Sequence, residues 1–178
     1  MDDSQVPLTM VPPEVLERLS QLGAPPRAAS LKLYRALASQ PAVLLGWIEF
    51  AWRLRSEAVT PRRLRELMIV RSAMLDGCEY ELRGHEEFAL EHGVSEEELQ
   101  ALTDWSHSNL FSLEERAALA LSEAMHLGTV PSEVLGELAS LFSPAAQVEL
   151  IVTCAFYNMV PLVIGALRLT PEEHYFKA

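Results

Sequence analysis

Thr60-Pro61-Arg62-Arg63-Leu64-Arg65-Glu66, an apolar run to Leu75, then Asp76-Gly77-Cys78-Glu79-Tyr80-Glu81-Leu82-Arg83-Gly84-His85: this stretch encodes two consecutive helices. Thr60 suits an N-cap and Pro61 the first helical position, where a missing N–H costs nothing. Leu64, Leu67, Met68, Val70 and Leu75 spread apolar surface too widely for a lone surface helix, so this helix is expected to be buried. Asp76-Gly77 ends it, and Asp76 with Glu79 makes a capping pair for the next helix. There Cys78, Glu81 and His85 fall at i, i+3 and i+7 and project from one face. Cys78 is expected in the first turn, where N–H groups and the helix dipole favour a thiolate. If the two helices pack as a hairpin, Glu66 reaches the same pocket.

Working outward, the rest of the chain reads as further helices. Pro12-Pro13-Glu14 opens a short one closed by Gly23, and others are expected over 28–39 and from Pro41 to about residue 55. After the central pair ends at His92-Gly93, Ser95 with Glu98 and Ser112 with Glu115 are capping boxes for two more. Residues 103–110, with Trp105 and His107, are expected to be a loop covering the site or an interface. Pro131-Ser132 starts the next helix, Ser143-Pro144 the last long one, to about residue 169, and Thr170-Pro171-Glu172-Glu173 a possible final turn. No stretch alternates with period two, so the class is all-α. Thr60-Pro61…Glu66-Leu67-Met68-Ile69 recurs as Ser143-Pro144…Glu149-Leu150-Ile151-Val152 at a constant offset, which points to two related helical halves. Residues 1–25 are expected to form a leader with a short helix, 26–170 the domain and 171–178 a tail.

The 178 residues suffice for one core, and 49% apolar with 7% aromatic content suits a compact helical protein. The 14 Lys and Arg against 25 Asp and Glu leave a net charge of −11, which disfavours nucleic acid and anionic membranes as partners. Arg53, Arg55, Arg62, Arg63, Arg65 and Arg71 nevertheless form a local positive zone, read as ion-pair partners with one possible anchor for a substrate carboxylate. The longest apolar run, near 150–169, is interrupted by Asn158, Pro161 and Gly165, so no membrane span is expected. The acidic start Met1-Asp2-Asp3-Ser4 lacks a secretory n-region, and a cytoplasmic protein is expected. Two distant cysteines make neither a disulfide framework nor a zinc knuckle, and Cys154 reads as a small buried hydrophobe.

Glu66, Cys78, Glu81 and His85, within Arg65-Glu66-Leu67-Met68-Ile69-Val70-Arg71…Gly77-Cys78-Glu79-Tyr80-Glu81…His85…Ala89…Gly93-Val94-Ser95, resemble the carboxymuconolactone decarboxylase family, which includes the AhpD-type alkylhydroperoxidases. The likeness covers about residues 30–168. AhpD-type members carry a glutamate, then Cys-x-x-Cys, then a histidine. Glu66, Cys78 and His85 stand at the matching positions, but Glu81 replaces the second cysteine, so no disulfide can close within the motif. The decarboxylases resemble Glu-x-Glu-Leu-Arg-x-His, which Glu79, Glu81, Leu82, Arg83 and His85 match. The resemblance implies an AhpD-like all-α homo-oligomer using no metal or organic cofactor.

Three functions follow as expectations. In the first, Cys78 reduces a peroxide and becomes a sulfenic acid, with Glu66, Glu81 and His85 as a proton relay and an external thiol to resolve it. In the second, His85 protonates a developing dienolate carbon during decarboxylation or isomerisation of a small lactone or carboxylic acid, oriented by Glu81 or Glu66. The third is a non-enzymatic oligomeric binding protein. Beside these stand structural readings: Glu81/His85 as a helix-surface pair, Glu66 and Glu149 as partners of an N-cap or arginine, and Cys78 as an inert first-turn thiol. His92 and His174 read as surface residues, and Tyr157 and Asn158 as pocket or oligomer contacts. A metal on Cys78, His85 and the carboxylates is the remaining alternative.

Overall fold

The computed structural model describes residues 4–172. All regular elements among them are helical: α1 (Pro13–Gln21), α2 (Lys32–Leu37), α3 (Pro41–Ser56), α4 (Arg62–Asp76), α5 (Glu79–Glu91), α6 (Glu96–Ala101), α7 (Leu113–His126), α8 (Ser132–Leu141) and α9 (Pro144–Ala166), with 3₁₀ turns at Pro26–Ser30 and Leu102–His107. Most of the expected tail, including His174 and the expected turn residue Glu173, lies outside the described residues. The chain forms two compact units, one from residues up to Ala58 and from Leu162 onward, the other Val59–Pro161.

In the first unit, Val15 and Leu19 of α1, Leu33 and Tyr34 of α2, and Leu44, Ile48 and Ala51 of α3 are buried. Tyr34 Oη accepts from the Trp52 indole at 3.1 Å, and Arg18 pairs with Glu49. The single helix expected over 28–39 is divided. Ser30 bonds back to the Arg27 carbonyl at 2.7 Å and closes the 3₁₀ turn, and Leu31 then takes a non-helical ψ of 132° before α2 starts.

The second unit is built on α4, buried on nearly every side as its dispersed leucines imply. Leu67 and Val70 join Ala89, Val94, Leu102, Phe111 and Leu119 in one apolar cluster, while Leu64 and Met68 join Ala118, Leu121, Leu138, Leu150 and Cys154 in another. The start of α4 differs from expectation. Pro61 occupies the N-cap position, and Thr60 lies outside the helix because the Glu149 carboxylate claims it. Glu149 accepts from the N–H of Val59 at 2.5 Å, the N–H of Thr60 at 3.0 Å and Arg65 Nη1 at 3.2 Å, and also binds the Thr60 hydroxyl. Glu149 is therefore a staple between α9 and the entry to α4, the structural role weighed for it.

Both capping boxes form as written. Arg63 joins them: its Nη2 lies 2.5 Å from Glu98, its Nε 2.8 Å from Glu115, and its Nη1 also meets the Gly93 carbonyl. One guanidinium thus fixes the N-termini of α6 and α7 against α4. Arg63→Met is expected to lower stability by about 1–2 kcal/mol, because two half-buried carboxylates lose a shared partner. Urea denaturation checks this, and the deficit should shrink in molar salt.

Residues 103–110 are more ordered than a loop. Trp105 packs on the Leu67 cluster, its indole donates to Glu123 at 2.8 Å, and Arg116 stacks over it. Trp105 is thereby anchored to the core cluster, and His107 is exposed beside Asp104. The last helix ends at Ala166, followed by Arg168 at φ 53°. Pro161 sits inside a continuous α9, which passes for a membrane span by length and composition alone. Its Leu150, Cys154, Phe156, Tyr157 and Val160 are nevertheless buried in the protein.

Candidate active site

Gly77, at φ 62°, ends α4 in the left-handed conformation that favours glycine. The Cys78 N–H returns to the Ala73 carbonyl at 3.0 Å, and α5 begins at Glu79. Cys78 is thus the N-cap of α5 and not a residue of its first turn, and the expected Asp76/Glu79 cap does not form. Asp76 instead faces His126 at 3.3 Å, and Glu79 pairs with Arg83 on the exposed side of α5. The two-residue link folds α5 back on α4, and the face carrying Glu81 and His85 turns inward.

Glu66 and His85 meet in the interior. Glu66 is 0% exposed and His85 5%. His85 Nδ1 lies 2.7 Å from Glu66 Oε2, while Arg62, one turn earlier on α4, pairs with Glu66 Oε1. On the other side of the ring, His85 Nε2 lies 3.5 Å from Glu81 Oε2, long for a hydrogen bond but close enough for strong attraction. Phe88 and Tyr157 wall the imidazole, at 5.7 and 4.9 Å between ring centroids, and the Arg62 guanidinium lies over Phe88. The four charged groups nominally balance.

Electrostatics fixes the state of His85. Burial alone would push the imidazole down, but the Glu66 carboxylate, helped by Tyr157 and Glu81, overrides it and holds the pKa up at about 10. With a carboxylate facing each nitrogen, His85 at neutral pH is an imidazolium that donates from Nδ1 to Glu66 and is drawn to Glu81 at Nε2.

Cys78 departs from the thiolate expectation. Burial pushes its thiol pKa up, and the nearby Glu81 and Asp76 carboxylates add to the effect. The N–H groups of Glu81 and Tyr80 pull the other way without winning. A helix N-terminus lowers a thiol pKa only where cation or dipole outweighs burial and negative neighbours. Iodoacetamide should therefore alkylate Cys78 more slowly than a free cysteine at neutral pH, with a rate still rising above pH 9. Cys154 is inert, its thiol pushed up to about 12 by burial.

The structure thus brings Glu66, Glu81 and His85 together, with Cys78 linked to them through Glu81. Arg62, Phe88 and Tyr157 complete the surroundings. Arg62 could have been singled out by its i, i+4 spacing to Glu66, but the sequence showed it only as one of six arginines. Of the others, Arg53, Arg63, Arg65 and Arg71 are ion-paired with Glu49, Glu98, Glu149 and Glu123, and Arg55 lies over Trp52. Among the described residues, no three His, Cys, Asp or Glu side chains are placed to hold a metal ion.

Residues 41–124 match the model of the carboxymuconolactone decarboxylase family. The uncharacterized protein YdfG of Bacillus subtilis is 35% identical over 72 residues, 40% of this chain and 48% of that protein, so the chain spans about half the length of this curated relative. A crystal structure of a putative antioxidant defence protein AhpD from Agrobacterium tumefaciens superposes with a TM-score of 0.69 at 18% identity, over 78% of this chain and 96% of that one. A peroxidase-related protein from Silicibacter gives 0.79 at 17%, over 98% and 95%. The debrominase Bmp8 gives 0.75 at 18%, over 90% and 87%. At such identities these likenesses establish the fold, an AhpD-like all-α one.

Proposed function

We propose, from the premise that the chain belongs to the carboxymuconolactone decarboxylase/AhpD-like superfamily, that it is an enzyme whose buried His85 delivers a proton to a small substrate. The observation that carries this reading is the His85 imidazole held between Glu66 and Glu81 in a nearly dry interior. An acid kept charged where water is scarce transfers its proton without solvent reorganisation.

The reaction these groups suit best is decarboxylation or isomerisation of a small lactone or carboxylic acid. Breaking the C–CO₂ bond releases CO₂ and leaves an electron pair on a dienolate carbon; in an isomerisation Glu81 takes the proton next to the carbonyl and the same kind of dienolate results. The His85 Nε2–H protonates that carbon, and the neutral imidazole is reprotonated from solvent through Glu81. Glu66 holds the ring and stabilises its charge throughout, and Arg62 fixes Glu66. No metal or organic cofactor is needed for these steps.

Peroxide reduction at Cys78 is the second reading, favoured by Glu81, which neighbours both sulfur and imidazole. There Glu81 takes the thiol proton, sulfur attacks the distal oxygen, the O–O bond breaks, and the leaving alkoxide takes a proton from His85. The sulfenic acid formed is returned to thiol by two equivalents of an external thiol, which leave as a disulfide. The raised Cys78 pKa makes this the slower route.

A panel of small lactones and keto acids, followed by NMR in D₂O, tests the first reading, and consumption of hydrogen and cumene peroxides the second. Cys78→Ser should leave carbon protonation within a few-fold of wild type and abolish peroxide consumption. If Cys78→Ser abolished lactone or keto-acid turnover, the first reading would fall. A cytoplasmic homo-oligomer is part of the proposal, without nucleic acid or membrane as partners. The outer face of α9, with Val148, Ala155 and Met159 exposed, supplies an uncharged surface for a second copy.

A further inference from the structure

His85 is fixed by a single good hydrogen bond. The contact at Nδ1 to Glu66 is 2.7 Å, whereas the contact at Nε2 to Glu81 is 3.5 Å. An imidazole held at one nitrogen can flip about its Cβ–Cγ bond, which would turn a carbon toward Glu66 and break the pair. The Glu66 pair itself opposes that flip, and packing against the ring adds to the restraint. Phe88, one turn further along α5, stands off at 5.7 Å between centroids and is inclined at 51°. Tyr157 comes from a different helix, α9, and stands at 85° to the imidazole with centroids 4.9 Å apart. It is 5% exposed, and Phe156 packs perpendicular to it at 5.3 Å.

We infer that Tyr157 is a positioning residue for His85, its perpendicular ring blocking the flip that would release Glu66. This rests on the reading of His85 as proton donor, and it assigns the orientation of that donor to α9. The titratable groups facing His85 are then Glu66 from α4, itself paired with Arg62, Glu81 from α5 and Tyr157 from α9. An aromatic ring beside an imidazolium also favours its charge. The internal repeat supplies the matching substitution: at the offset relating Glu66 to Glu149, Tyr157 aligns with Met74. A methionine therefore suits this helical position while removing the ring.

The test is NMR titration of the full chain labelled in histidine, the His85 signal among the five histidines being identified by its absence from His85→Asn. Tyr157→Met is expected to lower the His85 midpoint by about one pH unit, and Tyr157→Phe, which keeps the ring and loses only the hydroxyl's contribution, to lower it by clearly less. Phe156→Leu, which loosens the packing behind Tyr157 and keeps the Tyr157 ring, should leave it unchanged. Tyr157→Leu repeats the measurement with a second ring-less side chain, should the methionine variant fold poorly. An unmoved midpoint in the ring-less variants, or an equal fall in Phe156→Leu, would overturn the inference while leaving the proton-donor reading intact. A wild-type midpoint near 6.5 would overturn both.

Discussion

Glu66→Gln is expected to lower stability by about 3 kcal/mol at neutral pH and to move the His85 pKa from about 10 into or below the ordinary histidine range. The substitution keeps volume and shape, so no cavity forms. It removes the charge that offsets burial of two cations, Arg62 and the His85 imidazolium. Arg62 retains some access to water, its side chain being 17% exposed. His85 has none to speak of and answers by releasing its proton, leaving Glu81 at 3.5 Å as a distant acceptor. The stability deficit should narrow as pH approaches 10, since wild type then loses the same proton. Proton delivery to substrate should fall by about 100-fold or more, because the donor is discharged at working pH. Denaturant unfolding at pH 7 and pH 10, with NMR titration of His85, reads all three effects. A variant whose His85 still titrated near 10 would show that the pair is incidental.

How much of this was legible in the sequence depends on the kind of signal. The helices were written by local rules. The boxes at Ser95/Glu98 and Ser112/Glu115 need only a few residues of context, and both form. The helix-face argument for Glu81 and His85 was likewise geometric and independent of tertiary packing. What failed was decided by partners far along the chain. Thr60 has the chemistry of an N-cap, but Glu149, 89 residues away, takes its N–H and hydroxyl. Asp76 could cap α5, yet His126 holds it. Cys78 sits at a helix N-terminus, and only the folded surroundings reveal that burial and two carboxylates outweigh the backbone N–H groups. Tyr157 belongs to the same class: no local pattern joins it to His85, and only packing of α9 does so.

His85→Asn should abolish turnover while barely altering the fold, and its pH behaviour separates a proton donor from a structural ion pair. Asparagine can still donate to Glu66 but holds no transferable proton, so a fall of about 100- to 10,000-fold is expected. In wild type the acid form of His85 is the active one. The rate should stay level through neutral pH and fall as pH rises through about 10, an alkaline limb with no counterpart in any residual activity of the variant. Stability follows the same sign. The folded pKa lies above the unfolded value of roughly 6.5, so the imidazolium's contribution is complete below that value and is lost as pH rises through about 10. Cys78 and Cys154, both with raised thiol pKa values, add a decline of the same direction above about pH 8.5 in wild type and variant alike. The difference between the two stability curves therefore isolates His85: wild type should lose its advantage over His85→Asn between pH 7 and 10. If the curves ran parallel across that range, the imidazole would already be neutral, and proton delivery from it would have no basis.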